Sequence, residues 1–264
     1  MARPARHAVE PAAGWHGMNV FGDAVRWLND PLNWTLPGGV LDRLGEHLWI
    51  SFVAVLLGCL VAWPLGIWLG HTGRGGGLTV VVANVSRAIP TLALLTLLTA
   101  SFTGIGPEPV IISLAVFAVP PLLANAYVGL REVDPEVRDA ARGMGLSGWQ
   151  LLWRVELPLA VPYLATGFRT ATVQVVATAT LAVFVGGGTL GAIIAEGLGL
   201  GLDSHAGQVL AGGILVAGLA MLLEGVLALL ERAVTPSPLR QARRRAVRDR
   251  AVAPDPTVGA PTAA

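Results

Sequence analysis

Residues 131–158 read REVDPEVRDAARGMGLSGWQLLWRVELP, a polar run set between two long apolar ones. Its punctuation is that of two short helices. Asp134 stands as an N-cap, with Pro135 at the first helical position and Glu136 in the first turn. Gly143 and Gly145 end that helix, since glycine turns sharply without a Cβ clash. Ser147 opens a second helix with Gln150 three residues on, the pattern of a capping box, and Leu146 and Leu151 hold the positions of a hydrophobic staple. Pro158 closes the segment. A bare connector would need none of this.

The sequence on either side decides the class. Of the 264 residues 53% are hydrophobic and 13% charged, about half the charge of an ordinary soluble domain, so the apolar runs are read as membrane-spanning. A helix needs about 20 apolar residues to cross a bilayer. Five stretches qualify: 48–70, 78–102, 109–130, 159–185 and 206–230. The expected fold is an all-α, five-transmembrane-helix bundle over 46–235 with the 131–158 segment as a protruding loop. Residues 1–45 form an N-terminal tail in which 19–29 either lies along the interface, where Trp is favoured, or packs on the bundle. Residues 236–264 are Arg-rich and then Pro-, Ala- and Thr-rich, a disordered composition.

All 18 basic residues are Arg. Arg131, Arg138, Arg142 and Arg154 fall in the central segment and seven more follow position 231, whereas 103–108 and 186–205 have none. Arg-rich short loops stay cytoplasmic, which places the central segment and the C-terminus inside and the N-terminus outside; Arg3, Arg6, Arg26 and Arg43 run against the last assignment. Pro90, Pro120 and Pro121 should kink their spans toward protein or a water-filled path, as an alternative to simple curvature. Arg87 should face the bundle interior or the cytoplasmic side, and Arg169 and Glu224 are expected to snorkel.

Several chemistries are excluded. Without Lys no Walker A loop is possible, so this chain holds no nucleotide site of that kind. One cysteine, Cys59, and five scattered histidines support neither a disulfide framework nor a metal centre. Gly186-x-Gly188-x-x-Gly191 formally fits a dinucleotide fingerprint but lacks the βαβ context; it and the Gly/Leu run at 197–202 read as flexible backbone. The Arg run at 240–250 fits an anionic headgroup surface or a topology anchor, and nucleic acid is not an expected partner.

Asp139-Ala140-Ala141, Gly145 and Val155-x-Leu157-Pro158 resemble the Glu-Ala-Ala, Gly, Ile-x-Leu-Pro motif of ATP-binding-cassette (ABC) importer permeases, with every spacing kept, Asp for Glu and Val for Ile. Arg87–Leu94 (RAIPTLAL), Pro121–Gly129 (PLLANAYVG) and residues 167–191 are similar to segments of the osmoprotectant subfamily, the permeases for glycine betaine, carnitine or choline. Arg87 stands where that subfamily has a neutral amide and Ala124 where it has a basic residue. The resemblance implies a type I importer permease of the bacterial cytoplasmic membrane, not itself an enzyme, with 131–158 as its coupling segment. Implied partners are ABC ATPase subunits carrying ATP and Mg, a second permease copy or related permease, an extracytoplasmic binding protein and the lipid bilayer. Trp149 and Trp153, one turn apart, offer a docking face, with packing under the bundle as the other reading. Arg87, Pro90, Asn125 and Tyr127 are the expected substrate-path residues. The competing accounts are a permease for an amino acid such as methionine, and a transporter or channel needing no ATPase.

Overall fold

The computed structural model describes residues 19–77, 79, 81–82, 89–103 and 106–234, and among these it is helical with no strand. The helices are α1 (Val20–Asn29), α2 (Pro31–Thr35), α3 (Val40–Thr72), α4 (Thr91–Leu98), α5 (Pro107–Arg131), α6 (Pro135–Gly143), α7 (Gly148–Leu151), α8 (Leu157–Thr178), α9 (Gly191–Leu200) and α10 (Leu202–Val234). A π-helical turn, Leu152–Glu156, joins α7 to α8, and a 3-10 turn, Ala179–Val185, prolongs α8.

Four helical runs among the described residues are long and apolar enough to cross a membrane: Pro31–Thr72, Pro107–Arg131, Gly148–Val185 and Leu202–Val234. They correspond to the expected first, third, fourth and fifth spans. The expected second span, 78–102, includes positions outside the described residues; its described part holds α4 and a π turn, Thr99–Thr103. Gly58, Gly66 and Gly70 of α3 face Ala118, Ala126 and Leu130 of α5, so both numbers rise together and the two helices run parallel. The chain leaves α3 at one end of the bundle and enters α5 at the other, about 37 Å away for a 25-residue helix. Helix α8 then runs antiparallel to α5 (Tyr163 on Gly129, Gly167 on Asn125), and α10 antiparallel to α8.

The α3–α5 seam is built from small residues. Lipid tails supply no hydrophobic force between helices, so association rests on close backbone approach. Ala54, Gly58, Ala62, Gly66 and Gly70 recur every four residues down one face of α3, and Ala54 and Ala62 are fully buried. A Cβ at Gly66 would lie 2.7 Å from Ala126 Cβ and 2.9 Å from the Leu123 carbonyl oxygen. Pro120 is buried inside α5, which stays one helix through Pro120 and Pro121. Trp63 and Phe168, 6.2 Å between ring centroids, link α3 to α8.

At the end opposite the 131–158 segment, α1 packs on the start of α10, with Asp23 and Ala24 against Gly207. Phe21 and Val25 of α1 point outward, while its other face packs on the bundle, one of the two readings of 19–29. Arg43 pairs with Glu196, and Glu46 Oε1 accepts the Gly188 N–H at 2.8 Å. The Gly/Leu run read as flexible backbone is in fact helix α9 up to Leu200. It forms because Gly197 and Gly212 let α9 and α10 approach to contact, with Val209 on one and Ile193 and Ile194 on the other. Only Gly207, Ala211 and Gly212 of α10 are buried, all in its first third. The Arg run at 240–250 lies outside the described residues.

Candidate functional site

The 131–158 segment folds as a helical hairpin across the ends of α3, α5 and α8. Each turn has a residue-level cause. Asp134 Oδ1 accepts the Glu136 N–H at 2.8 Å and starts α6. At its C-terminus the Leu146 N–H reaches the Ala141 carbonyl at 3.2 Å and the Gly145 N–H the Arg142 carbonyl at 2.9 Å. This crossed pair is a Schellman motif, which needs a left-handed residue where Gly145 sits, with φ at 86°. The motif glycine is therefore the stop signal of α6. Ser147 and Gln150 form the reciprocal capping box, Gln150 Oε1 accepting the Ser147 N–H at 2.9 Å and Ser147 Oγ the Gln150 N–H at 3.4 Å.

The hairpin has two faces. Ala141, Leu151 and Leu152 are buried against the bundle, where Leu152 joins Leu130, Ala160, Ile67 and Leu157. Asp139, Ala140, Arg142, Met144, Trp149 and Trp153 face away. Asp139 pairs with Arg142, at 3.3 Å and in the open. Trp149 and Trp153 stack edge to face with centroids 5.4 Å apart and expose 68% and 55% of their surface, so they do not pack beneath the bundle. The two alanines of the motif thus divide the labour: Ala140 leaves a shallow spot on the outer face, and Ala141 fits the inner one. Val155 and Leu157 are half-buried, and Pro158 is exposed at the first turn of α8.

Beneath the hairpin lies a charged cluster that sequence reasoning missed. Glu156, 1% exposed, approaches His71 Nδ1 at 2.5 Å through Oε2 and Arg138 Nε at 3.2 Å through Oε1. The Arg138–Glu156 contact is an ion pair without hydrogen-bond alignment. Arg138 in turn donates to the Leu130 carbonyl in the last turn of α5. The available signal was a carboxylate flanked by Val155 and Leu157 at a span boundary, a setting in which a charge demands a partner.

Arg87 lies outside the described residues. Pro90 is exposed at the N-cap of α4. Asn125, half-buried, donates to the Pro121 carbonyl at 2.8 Å and touches Gly167 of α8. Tyr127 sits one turn from the hairpin end of α5, its hydroxyl beside Gly76 and its backbone against Gly66 and Gly70 of α3. Two residues apart on a helix, Asn125 and Tyr127 face different neighbours. Arg169 and Glu224, both expected to snorkel, carry charge partners within the bundle. Arg169 pairs with Glu224 at 3.3 Å and with Glu231 at 3.2 Å, and Glu231 also accepts the Thr166 hydroxyl at 2.7 Å. Pairing between α8 and α10 satisfies these charges where they stand.

The family described as binding-protein-dependent transport system inner membrane component matches residues 53–236, the hairpin included. The chain is 38% identical over 203 residues to the glycine betaine/carnitine/choline transport system permease protein OpuCB of Bacillus subtilis, covering 77% of this chain and 92% of that one. It is 39% identical over 204 residues, with the same coverage, to the carnitine transport permease protein OpuCB of Listeria monocytogenes. Among solved structures, an inward-facing form of the MetNI methionine ABC transporter superposes with a TM-score of 0.66 at 25% identity, over 79% of this chain and all of that one.

Proposed function

The chain belongs to the inner-membrane permease components of binding-protein-dependent ABC importers, and from that premise we propose that it carries glycine betaine or a related quaternary ammonium solute across the bacterial cytoplasmic membrane. The solute assignment is supported by the relatives at 38–39% identity, whose names give betaine, carnitine and choline. The methionine importer resembles it at 25%, and that likeness carries the fold more than the cargo.

The observation that carries the coupling role is the outer face of the hairpin. Asp139, Ala140, Met144, Trp149 and Trp153 form an exposed, partly apolar surface on a backbone fixed by caps at each turn. Exposed tryptophans beside a small residue suit a docking face that receives a partner's ridge. The proposed partner is an ABC ATPase, which brings ATP and Mg, since this chain has no Lys for a phosphate loop. Ala141, Gly145, Val155, Leu157 and Pro158 act by shaping and seating the hairpin. This puts the hairpin and C-terminus in the cytoplasm and the N-terminus outside. A second permease completes the path, to which Arg87, Pro90, Asn125 and Tyr127 are assigned, and an extracytoplasmic binding protein delivers the solute.

The test is co-purification followed by uptake. A tagged chain co-expressed with its genomic neighbours should retain an ATPase, lose it on Ala140→Arg, and support ATP-dependent uptake of labelled betaine in proteoliposomes. Uptake of methionine instead would replace the solute assignment, and transport without any ATPase would remove the importer reading.

A further inference from the structure

Glu156 connects segments that are distant in sequence. It lies in the π turn that leads into α8, His71 is at the end of α3, and Arg138 is in the middle of α6 and reaches the last turn of α5 through the Leu130 carbonyl. The foot of three spans and the first arm of the hairpin therefore meet at one carboxylate, 1% exposed. A carboxylate so buried is tolerated only while paired, and losing one partner strands the other charge. Separating α6 from the bundle would expose or orphan Glu156, and so would separating the π turn from α3. The apolar packing beside it, Leu130 with Leu152 and Ala160, fills space but fixes no direction. Ion pairs and hydrogen bonds with a buried partner do.

We propose that Glu156, with His71 and Arg138, is a positioning cluster for transport. It makes the hairpin move as one body with α3, α5 and α8, so that displacement at the outer face reaches the spans rather than being lost as local bending. The proposal rests on the importer-permease reading above and adds to it the residues that transmit the motion. None of the three touches solute or ATPase; all three act through the helices they join.

The test uses the complete importer, this chain with its ATPase, partner permease and binding protein, in proteoliposomes, with labelled glycine betaine as probe and ATP hydrolysis measured in parallel. The expected result for Glu156→Ala is normal retention of the ATPase, retained hydrolysis, and betaine taken up per ATP reduced about 3–30-fold. Glu156→Gln, which keeps an acceptor oxygen toward His71, should recover part of that ratio. An assembled Glu156→Ala importer with the wild-type ratio would overturn the proposal and leave the function standing. Wild-type chain that retains no ATPase, or takes up nothing with ATP, would instead remove the function. Should Glu156→Ala fail to accumulate, His71→Ala decides, because it leaves the Arg138–Glu156 pair in place and removes only the link to α3. The expected result is a ratio lowered about 2–10-fold at normal assembly, and an unchanged ratio refutes the proposal.

Discussion

One substitution made at two places on α3 should move stability in opposite directions. At Gly45 a Cβ would meet nothing within 4 Å, and the residue is exposed in a helix. Gly45→Ala should therefore gain up to about 1 kcal/mol from reduced backbone entropy in the unfolded chain. At Gly66 the same Cβ falls 2.7 Å from Ala126 Cβ, and 2.9 Å from the Leu123 carbonyl oxygen. Carbon atoms rest about 3.5–4.0 Å apart, so the seam must open by about 1 Å, a gap that forfeits a quarter to a half of each contact's attraction. Overpacking of this kind costs about 1–3 kcal/mol, and the upper part applies because backbone cannot swing aside. Subtracting the propensity gain leaves Gly66→Ala about 1–2 kcal/mol less stable than wild type. The two variants should differ by about 2–3 kcal/mol, or about 4–12 °C in Tm on the scale of chains this size. Thermal unfolding in detergent, followed by the fluorescence of the eight tryptophans, measures the order directly. Equal shifts, or a stabilised Gly66→Ala, would refute the close seam between α3 and α5.

Three more substitutions address the hairpin and the buried charges. Gly145→Val forces a branched side chain to a φ of 86°, costing about 1–2 kcal/mol; ATPase retention should fall, while Gly143→Ala, whose Cβ meets open space, should keep it. Trp149→Ala should leave stability within about 0.5 kcal/mol of wild type, yet weaken ATPase binding by about 1–2 kcal/mol, or about 5–30-fold, in a pull-down titration. Arg169→Leu leaves Glu224 and Glu231 without that cation; full burial would make this about 3–5 kcal/mol, reduced here to about 1–3 because the Glu224 side chain is nearly half exposed. Adding Glu224→Gln and Glu231→Gln should restore most of the lost Tm.

What could be read from sequence follows from the range of the forces involved. Asp134, Gly145, Ser147 and Gln150 were legible because a cap acts on N–H groups two or three residues away. Apolar length revealed the spans for the same local reason. The division between Ala140 and Ala141 was not legible: identical neighbours are told apart only by which side the bundle occupies. Nor was the Glu156 cluster, whose partner His71 lies 85 residues away. The ion pairs of Arg169 were not legible because a one-dimensional reading weighs a charge against lipid, whereas α10 brings two carboxylates to it. Helix α9 was missed because its glycines suggested a breaker. They serve instead as contact surface against α10.

The glycine seam also limits how the bundle can deform. Two helices fitted backbone to side chain at Gly58, Gly66 and Gly70 cannot shear past each other, because each step along the axis would bring a larger residue opposite a notch that admits none. Helices α3 and α5 must tilt together as a plate. The compliant borders of the molecule therefore lie elsewhere, above all along the last two-thirds of α10, where no residue is fully buried.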